Sequence, residues 1–442
     1  MLIQFSVRNF RTFKEKATLN LLASNYDKDT RKEDNITEDN KFNLNILKSA
    51  VVYGANASGK SKFIDALMFM QQFVTKSSKD SQKGELISVE PYRLNSETEN
   101  SPTEFEVIFT FKNVMYRYGF EVDKKQVVSE WLFHKTKTKE VELFYRDFQD
   151  FETHPRSFTK SKTIIKEGLV RNNALLLSVS SQFNEETATL VLTWFQELNI
   201  ISGLQESGFK NNTIAKIKDK NEKVKILKLL KAADFGIQDI NYEEFNINGL
   251  SEEAKKKFQE LKESVKHIDP EAFSDVSTLH TKFDSDQKRI GEVKFSVQRD
   301  ESSGTMKFLY LTGTLIDVLE TGGILFADEL DSKLHPNLVC KIVSLFNSKE
   351  LNPKNAQIIF NTHDTNLLSS GLFRRDQIWL IEKNKFGEAQ LYSLADFKSD
   401  KVRKTEAFEE NYINGKYGAI PFLGFFDNLT YSNSLRKDEN EK

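Results

Sequence analysis

The sequence predicts an α/β fold built on a parallel, doubly wound sheet, with an antiparallel β-subdomain and helical insertions. Three observations carry this. A short apolar strand at 50–53 runs into a glycine-bearing loop and then into a stretch with Ile64, Leu67, Met68 and Gln71 at helical spacings of three and four. Strand 323–327, helix 336–346 and strand 357–361 alternate in the C-terminal half, with strand 377–381 after them, as crossover connections between parallel strands require. Between these regions, 105–111 and 116–122 are aromatic and β-branched runs joined by a short polar turn, an antiparallel hairpin that 127–133 and 140–146 extend.

The remaining elements follow in order. Residues 2–7 alternate apolar and polar, which suits an opening strand. The polar stretch 24–45 reads as a loop or weakly ordered insertion. Segments 174–183 and 187–198 read as helical, the second through Leu190, Val191, Trp194 and Phe195. Residues 210–233 are Lys-rich, with Ile214, Ile217, Val224, Ile226, Leu227, Leu229 and Leu230 as their apolar component. A polar helix at 252–266 is far too short for a long coiled-coil arm. Strands at 278–283 and 292–298 precede a helix at 304–319. No internal repeat is visible. The expected organisation is an N-terminal lobe at 1–198, a helical insertion and the start of a second lobe at 199–290, a C-terminal lobe at 291–430, and a frayed polar tail at 431–442.

Composition narrows the function classes. In 442 residues, 38% are hydrophobic and 29% charged, which supports a buried core and excludes wholesale disorder. The net charge of −2 argues against a surface that binds nucleic acid everywhere. The single cysteine, Cys340, allows neither an intrachain disulfide nor a cysteine zinc site. No apolar run approaches the ~20 residues of a membrane helix. Arg8, Arg11 and Lys14 interrupt any secretory signal. The expectation is a cytoplasmic protein with no membrane partner.

The strongest motif is Gly54-Ala55-Asn56-Ala57-Ser58-Gly59-Lys60-Ser61, followed by Lys62. It matches G-x-x-x-x-G-K-[ST] between a strand and a helix, the phosphate-binding loop. Glycines let backbone N–H groups wrap phosphates, and the helix N-terminus adds partial positive charge. Lys60 reaches the β- and γ-phosphates of ATP, and the Ser61 hydroxyl ligates Mg²⁺.

The second motif is Ile324-Leu325-Phe326-Ala327-Asp328-Glu329. Four apolar residues build a central strand whose carboxyl end presents two acids, where open α/β sheets bind ligands. Asp328 is expected to hold magnesium through water, and Glu329 to act as general base on the attacking water. Taken alone, such a pair is a solvated acidic turn; the phosphate loop changes its weight. The third motif, Gln357-Ile358-Ile359-Phe360-Asn361-Thr362-His363, ends a further buried strand in a histidine. His363 is expected to hydrogen-bond the γ-phosphate, although a lone histidine is more often structural. Between Glu329 and His363 there is room for one helix and one strand, the content of a neighbouring βαβ step.

The fourth motif is Glu301-Ser302-Ser303-Gly304-Thr305-Met306-Lys307. With it, the chain resembles an ABC-type P-loop ATPase head of the SMC and recombination-repair kind, which carries a Ser-Gly signature at a helix start shortly before the acidic strand. Asn9-Phe10-Arg11-Thr12-Phe13 is similar to the N-terminal strand-turn of those heads. The resemblance implies that Ser303 and Gly304 face the γ-phosphate held by a partner subunit, so that ATP is sandwiched in a homodimer or a higher homo-oligomer. It implies a glutamine in the magnesium shell, for which Gln182 is the candidate, and an approach of Arg11 to the phosphates or base. Asp331 and His335 follow the acidic strand where such heads have a dimer-crossing loop. Thr305 and Met306 depart from the transporter signature and are similar to the variant of OLD-type and abortive-infection ATPases.

Further segments carry the resemblance to RloA/AbiLi-like abortive-infection ATPases, related to the ATPase of the PARIS anti-phage system: Pro91-Tyr92-Arg93-Leu94, Tyr116-Arg117-Tyr118-Gly119-Phe120, Glu130-Trp131-Leu132, Ala233-Asp234-Phe235-Gly236-Ile237 and 412–421. It covers residues 1–421 and implies an ATPase sensor or regulator of phage defence beside a separate, nuclease-like effector. About 60 residues follow strand 377–381, too few for a fused nuclease domain. Two alternatives stay open: a DNA-associated ATPase of the SMC/repair kind, and an ATP-dependent assembly scaffold with little turnover. The Lys-rich stretches 135–139 and 160–166 leave nucleic acid open as a partner, although charged runs are usually solvated faces.

Overall fold

The computed structural model describes residues 1–25, 29–79, 82, 84–202, 207–244, 251–265, 274–397 and 406–421. The 431–442 tail lies outside them. The centre is a six-stranded sheet in the order Leu198–Ser202, Ile324–Asp328, Gln357–Asn361, Ser49–Tyr53, Ile378–Lys383 and Ala389–Ser393. Every neighbouring pair is parallel except the last. The inner strands are near-continuous apolar runs because both sheet faces are covered. Alternate residues divide between two cores: Val52, Phe326 and Ile359 face one, and Val51, Leu325 and Ile358 the other.

The first core lies between this sheet, the helix Lys60–Lys76 and a seven-stranded antiparallel sheet. That sheet runs Asp150–Thr153, Glu140–Asp147, Val127–Lys135, Val114–Val122, Thr103–Phe111, Leu2–Arg8 and Ala17–Asn20. Phenylalanines join it to the helix. Phe69 stacks on Phe105 with ring centroids 5.1 Å apart, and Phe73 meets Phe120 at 5.5 Å. Such pairs add roughly 0.5–1.5 kcal/mol each beyond their buried area. The helix is thereby held between two sheets, and its first turn is fixed in space.

The second core packs the helices Ser303–Thr321 and Pro336–Asn347 on the opposite face. A three-stranded sheet, Ile237–Glu244, Ser274–Phe283 and Arg289–Ser296, and the helices Ser207–Lys218 and Lys220–Ala232 complete that side. Strands of the central sheet come from segments 1–198 and 291–430, with Leu198–Ser202 across the first boundary, so these segments interleave.

The fold class is α/β, a mainly parallel central sheet with an antiparallel subdomain. Several details differ from the sequence reading. The 24–45 stretch contains the short helix Lys32–Asn35 and a hairpin of Ile36–Asp39 with Leu44–Leu47. The helix Glu186–Gln196 stops early and gives way to the edge strand Leu198–Ser202. The Lys-rich segment is two helices, broken where the Asp219 carboxylate caps the second by accepting from the N–H groups of Asn221 and Glu222.

Two of the segments tied to the family resemblance have structural roles. Gly119 lies under the Trp131 ring, leaving no room for a Cβ. Glu130 is fully buried and accepts from the backbone N–H groups of Leu176 and Leu177 at 2.7 and 3.0 Å, starting the helix Leu176–Gln182. Burial pushes its carboxyl pKa up, against the pull of nearby Arg146. Among the described residues no helix is long and apolar enough to cross a membrane.

Candidate nucleotide-binding site

Three adjacent strands deliver their C-terminal ends to one edge of the central sheet: Tyr53, Asn361 and Asp328. The Gln357–Asn361 strand lies between the other two, with Asn361 level with Val52 and Phe360 level with Ala327. At about 4.8 Å per strand, the phosphate loop and the acids stand about 10 Å apart across this edge.

The loop conformation is set by close packing. Gly59 precedes the helix Lys60–Lys76 with φ +119°, and a Cβ there would lie 2.8 Å from the Thr12 Oγ1. A Cβ on Gly54 would run into the Ile381 carbonyl and into Ser58 Oγ at 2.6 Å. Ala57 adopts a left-handed backbone with φ +61°. Ser58 is buried and its Oγ has no hydrogen-bond partner, an orphan polar atom inside the loop. Ser61 stands half-buried in the first turn. The loop is shaped by its glycines and stands at a helix N-terminus, which is what a phosphate chain requires.

Lys60 connects the loop to the acids. Its Nζ donates to the carbonyls of Gly54 at 2.7 Å and Ala55 at 3.1 Å, and the residue is only 6% exposed. Burial lowers its pKa below the ordinary lysine value, while Glu329, Asp328 and Asp331 act to raise it. The expected union of loop and acids is thus present in the geometry. Lys62 and Arg11 both donate to the Asp65 carboxylate one turn along, Lys62 at 3.1 Å. Arg11 also reaches Glu90 at 3.3 Å. Arg11, Thr12, Lys62 and Arg93 line a groove of about 470 Å³ beside the loop.

On the acidic side, the Asn361 side chain was missed as a functional group. Its Nδ2 donates to Asp328, and its Oδ1 accepts the Glu329 backbone N–H at 2.5 Å. Glu329 itself adopts a left-handed backbone, φ +53°, uncommon for a non-glycine residue and concentrated at functional sites. His363 follows the neighbouring strand, exposed, with its backbone N–H on Asp331 Oδ2 at 3.2 Å. Asp331 Oδ1 is buried without a partner.

The signature helix begins one residue later than its cap. Ser302 is the N-cap and its hydroxyl accepts from Thr305 N–H at 3.1 Å. Ser303 opens the helix, and Gly304 lies against the Lys333 carbonyl, where a Cβ would clash at 2.5 Å. Glu301 is tied to Thr278 and, at 2.7 Å, to His280, which fixes the signature on the three-stranded sheet. His335 caps the helix Pro336–Asn347, its ring accepting from Asn337 N–H at 3.2 Å.

Gln182 is not brought to this site. It ends the helix Leu176–Gln182, and Ser178 of that helix hydrogen-bonds Ser78 at 2.7 Å, just past the far end of the phosphate-loop helix. At 1.5 Å rise per residue, that end is roughly 25 Å from the loop. The reason is topological: the strand that ends level with Asp328 is Leu198–Ser202, with Ser202 opposite Asp328, and it lies beyond Gln182 in the chain.

A second missed residue is Tyr412. Its hydroxyl accepts from the Gly54 backbone N–H and donates to the Ala419 carbonyl at 3.1 Å, and its ring lies 5.6 Å from that of Tyr53. The C-terminal segment therefore braces the start of the phosphate loop. The signal was its place in the 412–421 segment; nothing local tied it to the site.

Over residues 49–369 the sequence matches the family described as "AAA domain, putative AbiEii toxin, Type IV TA system". The chain belongs to this family. The match spans both the phosphate loop and the acids, so the site is that of a P-loop ATPase domain. Comparison with curated proteins gave no match. Among solved structures, the SMC head domain from Thermotoga maritima is 11% identical, with 89% of this chain and 98% of that chain covered and a TM-score of 0.39. The SMC head bound to the C-winged helix domain of ScpA is 13% identical, with 89% and 97% covered and a TM-score of 0.38. A dimeric ATP-binding cassette, MJ0796, in a post-hydrolysis state bound to ADP and Pi, is 11% identical, with 89% and 100% covered and a TM-score of 0.28.

The residues present fit ATP with Mg²⁺. Ser61 hydroxyl and Asp328 carboxylate are hard oxygen donors of the kind magnesium takes, and substrate phosphates and water complete such a shell. Among the described residues no group of three or more His, Cys, Asp or Glu side chains could hold a metal by itself, and a phosphate-shared magnesium needs none.

Proposed function

We propose that the chain binds and hydrolyses ATP with Mg²⁺ as a nucleotide-controlled dimeric clamp, and that it serves as sensor or regulator of a phage-defence system with a separate effector. The observation that carries the ATPase reading is Lys60, buried in the phosphate loop on the same sheet edge at which the strand Ile324–Asp328 ends in its acids. In this reading the amides of Asn56, Ala57 and Gly59, which follow Gly54 in the loop, and Lys60 hold the phosphates. Ser61 and Asp328 hold magnesium, which supplies charge neutralisation on the phosphates. Glu329 takes the proton of the attacking water, and His363 hydrogen-bonds the γ-phosphate. Arg11 and Lys62 flank the groove for the rest of the nucleotide.

For the glutamine of the magnesium shell we propose Gln205 in place of Gln182. It follows the strand that ends beside Asp328 by three positions in sequence and lies outside the described residues. Ser303 and Gly304 open a 19-residue helix, and in a paired head they face the partner's γ-phosphate. Loss of that phosphate removes the contacts that favour closure. The toxin–antitoxin wording of the family description supports the defence setting. The test is calorimetric titration with ATP and Mg²⁺: binding by the wild type and its loss in Lys60→Ala support the reading, and equal binding by both contradicts it.

A further inference from the structure

Lys307 lies in the second turn of the signature helix and is 1% exposed. Its ammonium points into the loop that follows the acidic strand. Its three N–H groups are shared among four acceptors, the carbonyls of Glu329 at 3.2 Å, Leu330 at 3.1 Å and Ser332 at 2.7 Å, and Ser332 Oγ at 2.8 Å. Three carbonyl dipoles that converge on one point repel one another unless a cation lies between them. The same loop contains two non-glycine residues in the left-handed region, Glu329 with φ +53° and Lys333 with φ +62°. Such a backbone persists only where its surroundings hold it. The Glu329 residue is gripped at both of its backbone polar groups: Asn361 takes its N–H, and Lys307 takes its C=O.

An apolar side chain in its place would leave these carbonyls unsatisfied, so the ammonium holds the loop in this one conformation. The ammonium sets a conformation, and the conformation it sets is that of the acid. We propose that Lys307 is a positioning residue that fixes the backbone from which Glu329 acts, and that it ties the signature helix to the acid of the same chain. This rests on the assignment of Glu329 as general base.

The test is a double-mutant cycle in the full-length protein, with kcat, KM and ATP affinity measured for wild type, Lys307→Met, Glu329→Gln and the double variant. Lys307→Met should lower kcat about tenfold or more, while KM and the calorimetric Kd for ATP change less than about threefold. Lys307→Gln, which keeps a donor but no charge, should fall between. In the Glu329→Gln background the Lys307→Met substitution should change the residual turnover less than about twofold, because its effect passes through Glu329. Parental kcat in Lys307→Met, or the same loss in both backgrounds, overturns the proposal. So does failure of both Lys307 variants to fold by circular dichroism. If Glu329→Gln itself turns over at the parental rate, the general-base reading fails instead, and the two failures are told apart.

Discussion

Asn361 donates from its side-chain amide to the Asp328 carboxylate across adjacent strands of the central sheet. The same amide accepts the Glu329 N–H, so one fully buried residue aligns both acids. Asn361→Ala leaves a carboxylate oxygen and a backbone N–H without their partner. Each such orphan costs about 1–3 kcal/mol. We expect a lower urea midpoint and a turnover reduced by more than about tenfold with ATP still bound. Unchanged turnover in a folded variant would remove Asn361 from the site.

Gly59 is constrained twice, by its φ of +119° and by Thr12 Oγ1 in the place of a Cβ. Gly59→Ala is expected to destabilise the chain by about 1–3 kcal/mol and to weaken ATP binding beyond detection in calorimetry. An alanine variant that binds ATP like the wild type would show that the loop reshapes freely.

Tyr412 provides a pH signature. Burial pushes its phenol pKa up to about 12 from the ordinary 10.0. The neutral form is the one the fold favours, so its stabilisation is complete below pH 10 and is lost as pH rises through 12. Tyr412→Phe should cost about 1 kcal/mol at pH 8 from the lost hydroxyl contacts. The gap in Tm between the two chains should shrink as pH rises above 10. A gap that stays constant in differential scanning calorimetry would place the phenol in solvent.

Much of this site was readable from residues alone because its parts are local. The loop motif needs only its own spacing, and the strands Ile324–Asp328 and Gln357–Asn361 are apolar on both faces, so their runs and their polar ends stand out. What escaped depends on distant partners. The Glu186–Gln196 helix ends where Gln71 Nε2 takes the carbonyls of Phe195 and Leu198, each at 2.8 Å, and no local pattern reveals that stop. The ordered 32–47 region is held by Asn35, which donates to the Leu372 carbonyl and to Gln377. Asn361 reads as the last residue of a strand until Asp328 is placed beside it.

Gln182 lies between the phosphate loop and the signature in chain order, and order does not give distance. We expect Gln182→Ala to keep parental turnover, and Gln205→Ala to lower turnover and raise the magnesium concentration needed for half-maximal rate. A loss confined to Gln182→Ala would reverse the assignment.

The central claim is that Glu329 fires a nucleotide held between two copies of the chain. The most direct measurement is light scattering of Glu329→Gln with ATP and Mg²⁺, with phosphate release followed in parallel. The account predicts a stable ATP-dependent dimer with little phosphate released. A variant that stays monomeric with ATP, or that releases phosphate at the parental rate, would contradict it.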